Sequence, residues 1–284
     1  MNRLVIFANP DKPEAMRLAA EAERETDRLG LEVCLSTRIG EDISGFAPDL
    51  AAVFGGDGTV LGAASALGEN PPPILAFNLG RLGYLAENSP DSFSGLIRRA
   101  LAGELRQSVR MRVEAGLESP RRQWRRTALN EFALVSRLNG RLLPLSVWVD
   151  GKQLMDIRGD GIIIGTPTGS TGYALAAGGP VVSPELAAII LAPICPHQLA
   201  NRSLVLDPTE TVRLQHFSDQ PIDLLADGRL CLAMDMDETL TTKISPSPIR
   251  FLSSSTEKYK LLREKLGWGW KATHGYSERR MRNG

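Results

Sequence analysis

Several things are missing from this chain, and each absence removes a class of explanation. There is no excess charge of either sign: Lys plus Arg number 33 and Asp plus Glu number 33. No global positive field therefore exists to draw a nucleic acid. No apolar run approaches the roughly 20 residues that a membrane-spanning helix needs. The opening M-N-R-L-V-I-F-A-N-P reads as a first strand rather than a secretory leader, because its apolar part is short and Pro10 ends it. Cysteine is limited to Cys34, Cys195 and Cys231, an odd set without metal-ligand spacing. They are expected to be reduced, mostly buried thiols. These readings predict a cytoplasmic protein without a nucleic-acid or membrane partner.

Familiar catalytic signatures are missing too. Gly55-Gly56-Asp57-Gly58-Thr59 is not followed by the Gly-Lys-Ser/Thr of a Walker A loop. Ser170 lacks the Gly-x-Ser-x-Gly elbow of a serine hydrolase. His197 has no acid or second metal ligand at useful spacing and reads as a structural hydrogen-bonding histidine. Asp235, Asp237 and Glu238 lack the glycine and the spacing of a calcium loop and read as a surface turn. Arg121, Arg122, Arg125 and Arg126 read as a solvated hairpin that could also meet an anion.

What is present falls into two textures. Up to about residue 104, strands and helices alternate. Strands are predicted at 4–8, 32–36, 50–54 and 74–77, and helices at 14–29 and 59–67. A further helix is capped at Ser89 and carries Phe93, Leu96, Ile97, Ala100 and Leu101 on one face. Such alternation implies a parallel sheet with flanking helices. Beyond that point short strand-like runs follow at 109–115, 128–135, 145–149, 162–164, 188–191, 203–206, 211–215, 222–225, 239–244 and 249–252. Turn pairs such as Asp150-Gly151 and Asp227-Gly228 punctuate them. They predict an all-β sandwich. The resulting division is an α/β unit over 1–104, a sandwich over 105–252, a helix over 253–270 with Tyr259, Leu262 and Leu266 on one face, and a basic, frayed tail over 271–284.

Two loops stand out. Gly55 to Thr59 follows an apolar strand and leads into a helix, and ligands of open α/β sheets bind at that edge. Its glycines let backbone approach phosphate, and the helix N-terminus favours anionic oxygens. A carboxylate aimed there suits acceptance of a hydroxyl proton or placement of magnesium. The second loop, T-P-T-G-S-T-G-Y-A-L-A-A, follows Ile162 to Ile164. Together they suggest a site for two phosphate-bearing ligands. Asn78 to Tyr84 ends the next strand, beside the first loop. Asn130-Glu131 falls inside an apolar run; an amide and a carboxylate suit a nucleoside, but adjacent strand residues face opposite ways. Both serve one ligand only at a strand end or bulge.

Taken in order, GGDGT at 55–59, NLGRLGYL at 78–85, ALNE at 128–131, RGDGIIIGTPTGSTGYALAAGGP at 158–180 and PICPH at 193–197 resemble the ATP-dependent NAD kinases along nearly the whole chain. Lys265-Leu266-Gly267-Trp268 is similar to the ending of the Gram-negative branch. The resemblance implies a homodimer or homotetramer that uses ATP to phosphorylate the adenosine-ribose 2′-hydroxyl of NAD, giving NADP and ADP. It implies that Asp57 orients or deprotonates that hydroxyl, that Gly58 approaches NAD, and that Gly55, Gly56, Gly58 and Thr59 cradle the ATP phosphates. Asn130, Glu131, Arg141, Arg158 and Asp160 match NAD-binding positions, with Arg158 as in members that prefer NAD over NADH. Thr171, Gly172, Tyr173, Ala174, Leu175 and Ala176 would line the dinucleotide cleft. Magnesium would be held mainly through ATP phosphates and water, since the sequence offers no oxygen-ligand cage of its own. This chain departs from the family at Gly172, where alanine is usual, at Ala174 and Ala176, where serines are usual, and at Arg229, where glutamine usually follows Asp-Gly. Two rivals remain: a lipid or sugar kinase sharing GGDGT, and a dinucleotide-binding regulator without turnover.

Overall fold

The computed structural model describes residues 3–38, 41, 43–80, 83–119, 122–137, 142–217, 222–236, 238–254 and 260–268. Arg81, Arg121, Arg141, Asp237, Thr256, Tyr259 and the 271–284 tail lie outside these.

The first part alternates as expected. β1 (Arg3–Ala8), β2 (Glu32–Ser36), β3 (Leu50–Gly55) and β4 (Ile74–Asn78) interleave with α1 (Pro13–Arg28) and α2 (Asp57–Ala66), and α3 (Phe93–Leu101) follows. Pro90–Ser92 form a 3-10 turn ahead of α3, and Ser89 makes no side-chain cap bond. Then come β5 (Arg106–Arg110), β6 (Val113–Glu118), β7 (Gln123–Ala128), β8 (Glu131–Ser136), β9 (Leu143–Val149), β10 (Lys152–Gly159) and β11 (Gly161–Gly165). The short α4 (Tyr173–Ala176) leads to β12 (Ile189–Ile194), β13 (Leu204–Leu206), β14 (Val212–His216), β15 (Ile222–Ala226) and β16 (Arg229–Met234). β17 (Thr239–Ile244), β18 (Ile249–Ser253) and α5 (Lys260–Lys265) complete the order.

The strands form three sheets. The first has the order β2-β1-β3-β4-β18-β5 and is parallel except for β5. One face is covered by α1 and α3 over Leu4, Ile6, Phe54 and Phe77; the other packs Val5, Val53 and Ile74 against Val60, Ala63 and Ala64 of α2. Two antiparallel sheets, β10-β9-β14-β17-β6-β7 and β13-β12-β11-β8-β15-β16, stack as the sandwich. Val113, Leu117, Val147 and Leu214 of one meet Phe132, Leu134, Ile162 and Leu224 of the other. The α/β unit and the β-sandwich are thus both present. Among the described residues no helix is long and apolar enough to cross a membrane.

Several local expectations change. The run 109–115 is two strands in different sheets, because Arg112 lies between β5 and β6 and its guanidinium is buried where the chain crosses from one sheet to the next. The run 128–135 breaks at Leu129 and Asn130, whose backbone N–H groups bond Asp227 rather than a neighbouring strand. Polar β7 and β10 carry little of the apolar alternation that marks a strand, so they escaped the sequence pattern, and the apolar β16 (R-L-C-L-A-M) was not expected as a strand either. β5 and β18, from beyond residue 104, pair with the first sheet. The cysteines are not buried: Cys195 is exposed and Cys34 and Cys231 are half-buried. Glu238 is not on a surface turn but fully buried. It accepts bonds from Arg122 Nε and Nη2, so Arg122 leaves the solvated cluster.

Candidate active site

The site grows from β3 and β4. Both run parallel and end side by side, Gly55 opposite Asn78, so the loops that follow meet at the carboxyl edge of the sheet. Gly56 is the N-cap of α2, with extended backbone, and makes no side-chain cap bond. Asp57 opens the helix, where its charge meets the favourable end of the dipole. Its Oδ2 accepts the Tyr84 N–H at 2.8 Å and its Oδ1 the Leu85 N–H at 3.0 Å. This ties the GGDGT loop to the segment after β4. A Cβ at Gly83 would stand 2.0 Å from Asp57 Oδ1, and one at Gly55 would stand 2.3 Å from Thr59 Oγ1. Burial, and then the Asp57 charge, push the Tyr84 phenol up. Lys265 Nζ of α5 lies 5.5 Å from the Tyr84 ring centroid, so the last described helix reaches this edge.

The second half of the site comes from the sandwich. β8 starts at Glu131, so Asn130-Glu131 stands at a strand end, the condition under which both side chains can face one ligand. Asp227 holds that start: its carboxylate accepts the N–H groups of Leu129 at 3.1 Å, Asn130 at 2.7 Å and Glu131 at 3.3 Å. The Asn130 carbonyl accepts the Thr166 N–H, and Thr166 Oγ1 donates to the Leu129 carbonyl at 2.6 Å. A Cβ at Gly169 would lie 2.3 Å from the Asn130 oxygen, which is why the loop needs glycine there. Ser170 is fully buried, its hydroxyl donating to the Pro167 carbonyl at 2.7 Å and accepting the Val182 N–H at 3.1 Å. It is a brace of the loop.

The structure places residues 171–176 beside Asn130 and Glu131. Ala174 packs on Ala133, Ile163 and Ala192, on the face of the sheet turned away from the sandwich core. A Cβ at Gly172 would lie 3.3 Å from Asn130 Nδ2 and 3.4 Å from Glu131 Oε2, so this glycine leaves room beside both. Burial, and then the charges of Cys195, Asp160 and Glu131, push the Tyr173 phenol up. Cys195, held in the left-handed region at φ 45, is pushed up by its hydrogen bond to Asp160. Arg158 is exposed, and its guanidinium makes no ion pair among the described residues, with Asp160 or otherwise. Its carbonyl accepts the backbone N–H of exposed His197. Thr171 is half-buried, with its hydroxyl on the Thr168 carbonyl, while Leu175 is half-buried and Ala176 exposed.

The electrostatics mark two atoms. Asn130 Oδ1 and Glu131 Oε2 are buried without a hydrogen-bond partner, whereas native buried polar atoms are nearly always paired. Burial, and then the charge of Asp227, push the Glu131 carboxyl up to about 8. It is therefore protonated at neutral pH and able both to donate to and to accept from a ligand. Asp227 is raised by burial against its three backbone N–H bonds. The two halves are joined where Arg229 Nη2 donates to the Gly58 carbonyl at 3.2 Å. No motif announced this contact; the only signal was a charged side chain after the Asp227-Gly228 turn. Among the described residues no three His, Cys, Asp or Glu side chains gather as a metal site.

Residues 41–105 match the family model of the ATP-NAD kinase N-terminal domain, and 129–254 that of the C-terminal domain. The chain is 35% identical to an NAD kinase of Syntrophotalea carbinolica over 287 aligned residues, spanning 95% of this chain and 99% of that protein. The chain belongs to the ATP-NAD kinase family. As an enzyme of that family it is a phosphotransferase. An NAD kinase of Nitrosococcus oceani is 37% identical over 227 residues, 78% of each chain. Among solved structures, an Archaeoglobus fulgidus NAD kinase in complex with ATP is 30% identical, with a TM-score of 0.74 over 94% of this chain and 98% of that one. Yeast NADH kinase complexed with NADH shares the fold, with a TM-score of 0.88 at 23% identity, over 98% of this chain and 90% of that one.

Proposed function

We propose that this kinase transfers the γ-phosphoryl group of ATP to the adenosine-ribose 2′-hydroxyl of NAD, giving NADP and ADP. The observation that carries the reading is the pair of buried, unpartnered acceptors, Asn130 Oδ1 and Glu131 Oε2, on the sandwich, joined through Arg229 to the Asp57 loop. Asp57 keeps acceptor capacity beyond its two backbone bonds, since a carboxylate has about four lone-pair sites. The 2′-hydroxyl gives its proton to Asp57 as its oxygen bonds the γ-phosphorus and the bridging bond to ADP breaks. Such catalysis is mostly positioning and charge stabilisation.

The α/β unit, centred on 1–104, holds the donor, with Gly55, Gly56, Gly58 and Thr59 at its phosphates. The sandwich within 105–252 holds the dinucleotide, with Asn130, Glu131, Asp160 and Thr171 to Ala176 at its nucleosides and Arg158 at its nicotinamide end. Arg141, implied by the resemblance, belongs to the same proposal. Magnesium enters with ATP, bound to its phosphates and water; among the described residues no three His, Cys, Asp or Glu side chains gather to hold it. The Lys265-Leu266-Gly267-Trp268 ending supports a Gram-negative-type member, and the resemblance supports a cytoplasmic homodimer or homotetramer, which light scattering checks.

The deciding assay mixes the full chain with Mg-ATP and NAD and reads NADP with an NADP-specific dehydrogenase. Turnover is expected. Binding of NAD without NADP formation makes the protein a dinucleotide-binding regulator. Phosphorylation of a lipid or sugar in place of NAD makes it a different kinase.

A further inference from the structure

ATP is a polyanion, yet Gly55-Gly56-Asp57-Gly58-Thr59 carries a carboxylate and no cation. The N-terminus of α2 offers only the equivalent of about half a positive charge. Beyond the magnesium that ATP carries, a protein cation for the donor has to come from outside the loop. Arg229 comes from across the seam between the two units, 171 residues away in sequence, and its Nη2 donates to the carbonyl of Gly58, the neighbour of Asp57.

Arg229 is also held for such a task. It leaves the turn Asp227-Gly228, whose residues sit at φ 48 and φ 74, and Asp227 is clamped by the backbone of Leu129, Asn130 and Glu131. The start of its side chain is therefore fixed by the same contacts that shape the acceptor side. The residue is half-buried, and its guanidinium, in an exposed contact, makes that one hydrogen bond and no ion pair among the described residues. Neighbouring arginines are already committed. Arg112 makes five hydrogen bonds to Gly68, Glu69, Thr127 and Ser247. Arg122 pairs with Glu238, and Arg126 donates to Cys231 Sγ.

We propose that Arg229 is the cation of the donor site: moored on the Gly58 carbonyl, its guanidinium bonds the phosphate chain of ATP. The inference rests on the phosphotransfer reading above. A planar guanidinium has donors left over after one is spent on a carbonyl, and forked bonds to phosphate oxygens are its favoured geometry. Arg229 thus touches donor and Gly58 together and ties the bound phosphates to the Asp57 loop.

The test is calorimetric titration of the full chain with inorganic tripolyphosphate, a donor chain without a nucleoside. Arg229→Gln keeps a planar amide able to bond the Gly58 carbonyl but removes the charge. It is expected to weaken tripolyphosphate binding about tenfold or more. NAD affinity and Tm stay at the wild-type values. Arg229→Lys is expected to recover binding to within about threefold, because it restores the charge without the fork. In steady state the KM for Mg-ATP rises and that for NAD does not. Equal tripolyphosphate affinity in wild type and Arg229→Gln overturns the proposal. So does a loss matched by equal losses in NAD affinity and Tm, which makes Arg229 a strut. A wild-type protein that binds tripolyphosphate through Arg229 but forms no NADP overturns the kinase reading instead.

Discussion

At Gly83 there is no room for even a methyl group: a Cβ would stand 2.0 Å from Asp57 Oδ1 and 2.7 Å from its Cγ. Gly83→Ala is therefore expected to push the Asp57 carboxylate off the Tyr84 and Leu85 N–H groups. Turnover should fall by about 10²-fold or more, approaching the loss of Asp57→Asn, for which removal of a general base predicts about 10² to 10⁴-fold. Single-turnover NADP formation and NAD calorimetry together check this; normal turnover in either variant removes Asp57 from the proton transfer. Glu131 makes a different prediction. Its carboxyl is raised to about 8 in the folded chain, above an unfolded value of 4.5. Between those values the folded state binds more protons than the unfolded, so stability falls as pH rises. The benefit is fully present below the lower value and is lost as pH passes through about 8. Glu131→Gln should flatten this slope, so that its Tm gains on wild type between pH 5 and pH 9. Parallel Tm curves for the two proteins would contradict the shift. Asn130 and Glu131 were legible as nucleoside-binding residues from their chemistry. Their accessibility to one ligand was not, because it depends on where a strand begins.

At the scale of elements, β10 shows how a site residue hides in a strand. Its sequence K-Q-L-M-D-I-R-G is largely exposed, so no apolar alternation marked it. Arg158 lies near its end, and its guanidinium makes no ion pair among the described residues. The oxidised nicotinamide ring is itself positive, so a nearby arginine cannot favour it by direct charge. Any preference for NAD over NADH must come from the shape that a planar guanidinium imposes on the cleft. Arg158→Gly is expected to raise the NADH/NAD ratio of kcat/KM while weakening NAD binding; an unchanged ratio makes Arg158 only a strand residue. The glycine-rich loops were far easier to read. Each follows a fully buried strand, and their glycines are required at close approaches such as Gly169 against the Asn130 carbonyl.

The whole molecule is held at its seam by Arg112, which is 1% exposed and bonds only backbone and hydroxyl oxygens. It joins the end of α2, at Gly68 and Glu69, to Thr127 of the sandwich and to Ser247 before β18. Burial lowers its pKa, yet it stays charged because an arginine pKa starts so high. Arg112→Met keeps the bulk and leaves the Gly68 and Ser247 carbonyls without their donor, while the Glu69 carbonyl keeps the Ser247 hydroxyl. Each unsatisfied buried group costs about 1–3 kcal/mol, so a loss of about 3–5 kcal/mol is expected from denaturant unfolding. A change below about 1 kcal/mol would show that water replaces the guanidinium.

By itself the sequence determined what is local: which runs bury, where glycine loops follow strands, and which residue types stand in them. Those features follow from the periodicity of apolar residues and the steric freedom of glycine, both of which act within a few residues. The tertiary structure decided what joins distant segments. It brought Ile249–Ser253 back beside β4, set Asp227 under Asn130 at a separation of 97 residues, and placed Arg229 on Gly58 at a separation of 171. Such pairings depend on three-dimensional proximity and on buried polar groups finding partners, and no local pattern along the chain records either.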